Sequence, residues 1–185
     1  LLRTPIFAAC LLCLGGIAKA DTTPVGELSL EDLMQVEVTS VSKKPQRLAH
    51  VAASIFVITA EDIRLSGANS IPEALRLAPG VDATRVSGNR WAVSIRGFSD
   101  RLANKLQVLV DGRSVFNPAF SGVLWEQLQF PMEDIERIEV IRGPGATVWG
   151  SNAVNGVVNI ITRSAAATQG VQAVAGGGTV DGAYG

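Results

Sequence analysis

The chain has 185 residues, 47% of them apolar, and a formal net charge of −1 at pH 7. One compact domain is therefore expected, fibrous and disordered classes are excluded, and so balanced a charge gives no basis for nucleic-acid binding. His50, Cys10 and Cys13 are its only histidine and cysteines, which are too few donors for a zinc or iron site. We therefore predict no metal and no cofactor.

The first 20 residues are typical of a cleaved secretory signal. Arg3 gives a positive start, an apolar run covers residues 6–17, and Ala18-Lys19-Ala20 ends it with small residues before the cleavage point. This run of 12 residues is well short of the about 20 that a membrane-spanning helix needs. A lipoprotein signal and an N-terminal core helix are the alternatives. Phe7 disfavours the first, and Gly15-Gly16 disfavours the second.

The exported chain begins with weak local signals and continues with a clear strand and helix. Ser29 is placed to cap a short helix, and residues 36–41 have near-alternating valines that predict an extended segment. The apolar run within 54–59 predicts a strand covered on both faces. Thr59 then caps a helix over Ala60–Ser66, with Asp62 in the capping-box position and Gly67 as the left-handed stop.

Strands dominate the remainder of the chain. A second helix starts at Ser70, has Glu73 in the box position, runs through Leu77 and ends at Pro79-Gly80. The glycine-rich segment 170–184 predicts the start of an antiparallel strand. Interspersed strands and short helices predict an α+β fold, a small mixed β-sheet with short packed helices. The strands expected in this sheet are 81–86, 91–95, 106–110, 114–116, 135–141 and 157–162.

Motifs for enzyme chemistry fail in detail. In the glycine pattern that starts at Gly143, Val148 replaces the third glycine of a dinucleotide fingerprint. A phosphate loop ending at Ser151 lacks its lysine. His50 lies in a polar linker, and no Gly-x-Ser-x-Gly elbow accompanies it. We therefore predict that the protein is not an enzyme.

Several segments, in order and at matching spacing from about Val36 to Thr162, resemble the plug domain of TonB-dependent outer-membrane transporters. The most specific is Ile138-Glu139-Val140-Ile141-Arg142-Gly143-Pro144, followed by the run 149–162 with its Gly-Val-Val-Asn-Ile-Ile-Thr ending. The resemblance implies a plug inside a wide barrel of about 22 strands. The supporting segments are Leu77-Ala78-Pro79-Gly80-Val81, Ser94-Ile95-Arg96-Gly97-Phe98 and Val108-Leu109-Val110-Asp111-Gly112.

The resemblance also implies a TonB box, an extended segment that pairs with the TonB protein as an added strand. The match to common boxes is loose, since Ser40 interrupts the apolar run, and an ordinary linker is the alternative. With only residues 21–36 before the box, transport without a further signalling domain is expected. The residues assigned to the box are Glu37, Val38, Thr39, Ser40 and Val41.

Two other sets of residues follow from the resemblance. Arg96 and Arg142 match plug arginines that pair with barrel-wall glutamates in relatives, a role that suits the bidentate guanidinium; capping of the sheet edge is the alternative. Ligand is expected at the loops 87–90, 99–104 and 114–121. The candidate ligand contacts are Arg90, Trp91, Arg101, Asn104, Phe116 and Phe120.

The expected organisation is a signal over 1–20, a periplasmic leader with the box over 21–48, a plug over 49–164 and the start of a truncated barrel over 165–185. Since the chain opens on Leu1, its start is either a recoded initiator or a truncation.

The expected location is the bacterial outer membrane, and the expected partners are TonB with its energising complex, the protein's own barrel and a small ligand. A ferric siderophore is the expected cargo, with cobalamin, other chelates and sugars as alternatives. The rival functions are a stand-alone periplasmic binding module and a nucleotide-binding enzyme.

Overall fold

A computed structural model describes residues 37–38, 46–47, 54–102, 104–166, 168–170, 173–174, 176–178 and 182–184. The predicted signal, the helix at Ser29 and most of the leader lie outside these residues. The strands in chain order are β1 Glu37–Val38, β2 Gln46–Arg47, β3 Ile55–Thr59, β4 Val81–Ser87, β5 Arg90–Ile95, β6 Leu106–Val110, β7 Arg113–Ser114, β8 Ile135–Arg142, β9 Gly156–Thr162, β10 Gly176–Gly178 and β11 Gly182–Tyr184.

The helices are short. In the described part of the chain, three are α-helical and two are 3₁₀ turns, which agrees with a fold that uses helices to cover a sheet. Among the described residues, none of the helices is long and apolar enough to cross a membrane. The helices are α1 Ala60–Ser66, α2 Ile71–Leu75 and α3 Ala146–Trp149, and the 3₁₀ turns are Trp125–Gln127 and Met132–Asp134.

Five strands form one mixed sheet in the order β3-β8-β9-β6-β7. Strand β9 pairs antiparallel with β8 and parallel with β6, while β3 and β7 lie antiparallel at the two edges. Strands β4 and β5 form a separate hairpin. The predicted mixed sheet with short helices is therefore confirmed.

The main core lies between one face of the sheet, the two helices α1 and α2, and the β4–β5 hairpin. Its buried side chains include Ile138 and Ile160 from the sheet, Leu75 from α2 and Val93 from β5. A smaller apolar cluster lies on the other face of the sheet, where α3 and the loop after it cover it. Because the central strands are buried from both sides, they have the continuous apolar sequence that such strands require.

Local capping decides where α1 begins and ends. The Thr59 hydroxyl accepts from the Asp62 amide at 3.1 Å, the Thr59 amide donates to Asp62 Oδ2 at 2.9 Å, and Gly67 adopts φ +67°. These observations confirm the predicted capping box and stop. Ser70 makes no side-chain cap bond, and α2 ends at Leu75 rather than Leu77, so the second helix is shorter than predicted.

Two other predictions change in the structure. Strand β3 is an edge strand in which only Ile58 is fully buried, so the predicted coverage of both faces is wrong. In the tail, two short strands, β10 and β11, pair with each other in place of one longer strand. Both differences arise from which strands pair with each other, and the pattern of apolar residues within a single segment does not reveal its partner.

Close packing at the start of β9 requires glycine. A Cβ added to Gly156 would lie 2.4 Å from the Ile141 carbonyl oxygen and 2.7 Å from Ile95 Cδ1. The first neighbour is backbone in the adjacent strand, so it cannot move without disturbing the sheet. This position therefore joins the sheet to the hairpin without room for a side chain.

We expect Gly156→Ala to lower the free energy of unfolding by about 1–3 kcal/mol, because overpacking forces backbone shifts. Urea unfolding of the full-length protein measures the change. Thr147→Ala, at an exposed position of α3, is the control and should change stability little. Equal stability of Gly156→Ala and the parent protein would contradict the packing argument.

Candidate functional site

The structure links two of the three predicted ligand loops by direct packing. A Cβ on Gly122 would lie 2.8 Å from the backbone of Leu102, so the segment after loop 114–121 closely contacts loop 99–104. Loop 114–121 itself is closed by a bridge between Asn117 and Gly122. Loop 87–90 is the turn between β4 and β5.

Glu126 connects these loops electrostatically. Its Oε1 accepts from Arg101 Nη2 at 2.9 Å. The hydrogen bond from Arg101 is the largest cause that holds the pKa of the Glu126 carboxyl below its usual range. A hydrogen bond from the backbone of Glu126 to its own carboxylate and the nearby charge of Arg90 act in the same direction on this pKa. Glu126 thus lies between cations from loops 87–90 and 99–104. Sequence reasoning missed it because its partner is 25 residues away.

A cleft of about 330 Å³ opens beside Glu126. Its walls include the loop residue Asn89 and three aromatic side chains, Trp91, Trp125 and Phe130. The side chains of Trp125 and Ser70 each contain a buried polar atom without a hydrogen-bond partner in the described part of the chain. The cleft thus combines aromatic rings with polar side chains, the kinds of group that orient a ligand in a binding cleft.

The candidate ligand contacts differ in accessibility. Arg90 and Asn104 are exposed, Phe120 is 56% exposed, and Phe116 and Arg101 are half-buried. Arg90, Asn104, Phe116 and Phe120 could meet a ligand without rearrangement, whereas the Arg101 guanidinium is engaged by Glu126.

Trp91 is placed differently from the other candidates. It is only 5% exposed and belongs to the main core, where the Arg85 guanidinium lies 4.8 Å from its ring centroid. In this arrangement Trp91 supports the hairpin from within and is not part of the exposed loop surface. Its ring also lines the cleft beside Glu126, and its assignment as a ligand contact stays a prediction.

Arg96 and Arg142 meet at the Pro79-Gly80 turn. The Arg96 amide donates to the Gly80 carbonyl at 3.1 Å, and Arg142 Nη1 donates to the Pro79 carbonyl at 3.2 Å. Arg142 Nη2 also donates to Ser54 Oγ at 2.8 Å, while its Nε is buried with no partner among the described residues. Neither arginine has an acidic partner within the part of the chain that the structure describes. Pairing with a barrel wall stays a prediction.

The assigned TonB box falls only partly within the described residues. Glu37 and Val38 form β1, which pairs antiparallel with Gln46–Arg47, and Val38 is 1% exposed. Thr39, Ser40 and Val41 lie outside the described residues. The extended conformation predicted for this segment is confirmed for its first two assigned residues.

The motif that ends in Asp111-Gly112 and the motif that ends at Thr162 come together at the C-terminal end of β9. The carboxylate oxygens of Asp111, in the β6–β7 turn, accept from the backbone amide and the hydroxyl of Thr162, both at 2.9 Å. Asn159 Oδ1 accepts from the Gly112 amide at 3.2 Å. The Asp-Gly turn therefore caps the last strand of the sheet, a role that the spacing of the motifs did not reveal.

Comparison with known proteins gives a consistent result. A family model described as TonB-dependent Receptor Plug Domain matches residues 47–157. The chain is 34% identical over 161 residues to the vitamin B12 transporter BtuB of Vibrio vulnificus, covering 85% of this chain and 26% of that protein. It is 36% identical over 174 residues to the ferric enterobactin receptor PirA of Pseudomonas aeruginosa, covering 85% of this chain and 23% of that protein.

The solved structure of the FpvAI–pyocin S2 complex is similar with a TM-score of 0.55 at 20% identity, over 69% of this chain and 16% of that chain. This likeness concerns the fold alone. The chain spans about a quarter of the length of the two curated relatives.

The Arg101–Glu126 pair should make stability depend on pH. Because the folded-state pKa of Glu126 is lowered, its contribution is present at neutral pH and is lost as pH falls through that lowered value. We expect the difference in unfolding free energy between the parent protein and Arg101→Gln to shrink in acid. Urea unfolding of both proteins at neutral and acidic pH measures it, and a difference independent of pH would contradict this assignment.

Proposed function

The chain belongs to the TonB-dependent receptor plug domain family, and from that membership we propose that it is the plug of an outer-membrane transporter that gates energy-coupled uptake of a scarce ligand. The observation that carries the proposal is the family match over residues 47–157. The family is one of receptors and transporters, not of enzymes. The motifs that end at Thr162 agree with that match.

The proposal divides the chain as its sequence predicts. Residues 1–20 are a signal, 21–48 a periplasmic leader with the TonB box, 49–164 the plug, and 165–185 the start of the barrel. The family match lies almost entirely within the proposed plug. A barrel beyond these residues is part of the proposal, in keeping with relatives more than three times as long as this sequence.

In the proposed mechanism, external ligand binds the loops around Arg90, Arg101 and Phe120. Binding changes the contacts that hold the hairpin and the sheet together, and the change reaches the leader before β3. TonB then pairs with residues 37–41 as an added strand. Energy from the inner membrane displaces the plug and opens a path through the barrel.

A ferric siderophore is the proposed cargo, and cobalamin is the alternative. The relatives are named for vitamin B12 and for ferric enterobactin. Loops that combine arginine, asparagine and exposed phenylalanine suit a bulky ligand with polar groups around an apolar body. Either cargo is consistent with this surface.

We expect Val38→Pro to abolish uptake while leaving ligand binding intact. Proline removes the backbone N–H that strand pairing requires, and Val38 lies outside the ligand loops. Radiolabelled vitamin B12 and ferric enterobactin serve as probes, with uptake and surface binding measured on the same cells.

Val38→Thr is the matched control, because threonine keeps the backbone N–H and the β-branched shape. It should support uptake. If Val38→Pro transports as well as Val38→Thr, the assignment of the box to this segment is wrong. If the parent protein transports neither probe, these two cargoes are excluded.

A further inference from the structure

The loop cations predicted to meet the ligand are not free of counter-charge. Arg101 is paired with Glu126, and its own backbone amide donates to Asp100 Oδ1 at 2.6 Å. Arg90 adds a second positive charge close enough to lower the pKa of the Glu126 carboxyl. An anion that approaches these arginines from outside therefore meets carboxylates that are already there.

The pair is built so that one side remains open. The Glu126 side chain is 20% exposed and that of Arg101 is 39% exposed. The contact joins a single guanidinium nitrogen, Nη2, to a single carboxylate oxygen. Arg101 Nε is buried with no partner among the described residues, so the terminal nitrogens are the ones that a ligand could reach. Such a one-atom contact is weaker than the two-atom contact that a guanidinium can form with a carboxylate.

Glu126 is also held in place by its surroundings. It lies in the 3₁₀ turn Trp125–Gln127, where Trp125 is a core residue, and Gln129 Nε2 donates to its carbonyl oxygen at 3.0 Å. The turn anchors the backbone, while the carboxylate reaches loop 99–104. Loss of the Arg101 contact would thus leave the fold of this turn supported by other contacts.

We propose that Glu126 is a specificity-determining residue whose carboxylate occupies Arg101 in the absence of ligand and must be displaced by an anionic group of the ligand. This inference rests on the proposed function, because it takes the loops as the ligand surface. Glu126 repels anions that form only one contact, and an anion with two oxygens in one plane regains the lost contact by pairing bidentately with Arg101. The ligand class is then a chelate or acid bearing carboxylate-like groups.

Citrate and its uncharged triethyl ester make a matched pair of probes, since they share a skeleton and differ in charge. Binding is measured by titration calorimetry at low ionic strength, because salt screens exposed charges, on the protein purified at its full natural length. We expect Glu126→Gln to bind citrate about two- to fivefold more tightly than the parent protein does, the size of effect that a partly exposed ion pair has. Affinity for the ester should not change.

Two variants separate this role from a general effect of charge or structure. Glu133→Gln removes the same charge from the other 3₁₀ turn, whose carboxylate lines a different cleft near α1, and should leave citrate affinity unchanged. In an Arg101→Gln background, Glu126→Gln should give no gain, since the carboxylate acts through Arg101. A merely structural role would not produce this dependence.

The inference is overturned if Glu126→Gln binds citrate no more tightly than the parent, if neither protein binds citrate, or if the gain persists without Arg101. Should Glu126→Gln reach the outer membrane poorly, Arg101→Gln alone decides the question, because it should weaken citrate binding but not ester binding. These results do not depend on uptake. Failure of the proposed transport function would appear separately, as a parent protein that binds citrate as expected but carries neither radiolabelled citrate nor its ferric chelate into the cell.

Discussion

Strand β9 is the element on which the rest of this structure depends. It lies between β8 and β6, and pairs antiparallel with the first and parallel with the second. Both of its faces are covered, so Val157, Val158 and Ile160 are fully buried. At its start Gly156 allows the backbone of β8 and the Ile95 side chain to come close, and at its end Thr162 is held by Asp111. Burial of such apolar strands supplies most of the stabilisation of a small domain. The hairpin and the helices α1 and α2 bury their apolar side chains in the same core as β9, so their positions depend on this strand.

Sequence reasoning succeeded where the determinants are local and failed where they are not. The box formed by Thr59 and Asp62 involves residues three apart, so the start of α1 could be predicted. The same pattern at Ser70 formed no box: the Ser70 hydroxyl makes no cap bond, and the Glu73 carboxylate accepts from the Asn69 amide and from Arg85 in the hairpin. Arg85, twelve residues from Glu73, thus occupies a carboxylate that the capping pattern assigns to a local partner. A rule based on the residues around a helix start does not include so distant a partner.

The same distinction applies to the candidate site. The positions of the loops followed from turn residues, but burial of Trp91 follows from the direction in which β5 faces the core. Glu126 could not be selected from its sequence context, because acidic residues near a 3₁₀ turn are common and its significance comes from Arg101 and Arg90. Charge pairs between loops become visible only when the fold brings the loops together.

Under the proposed function, a signal must pass from the ligand loops to the leader, and the structure offers a contiguous set of contacts for it. Strand β5 begins at Arg90 and is followed by Arg96, whose amide holds Gly80, while Arg142 joins the neighbouring Pro79 to Ser54, directly before β3. The contacts at Gly80, Pro79 and Ser54 are hydrogen bonds, and β5 connects them to the loop that contains Arg90. Contact alone does not transmit a signal, because coupling requires that both ends shift the same equilibrium. Under the proposed function, the bonds of Arg142 are the contacts at which such coupling should be tested, because one guanidinium joins Ser54, directly before β3, to the turn on which the hairpin rests.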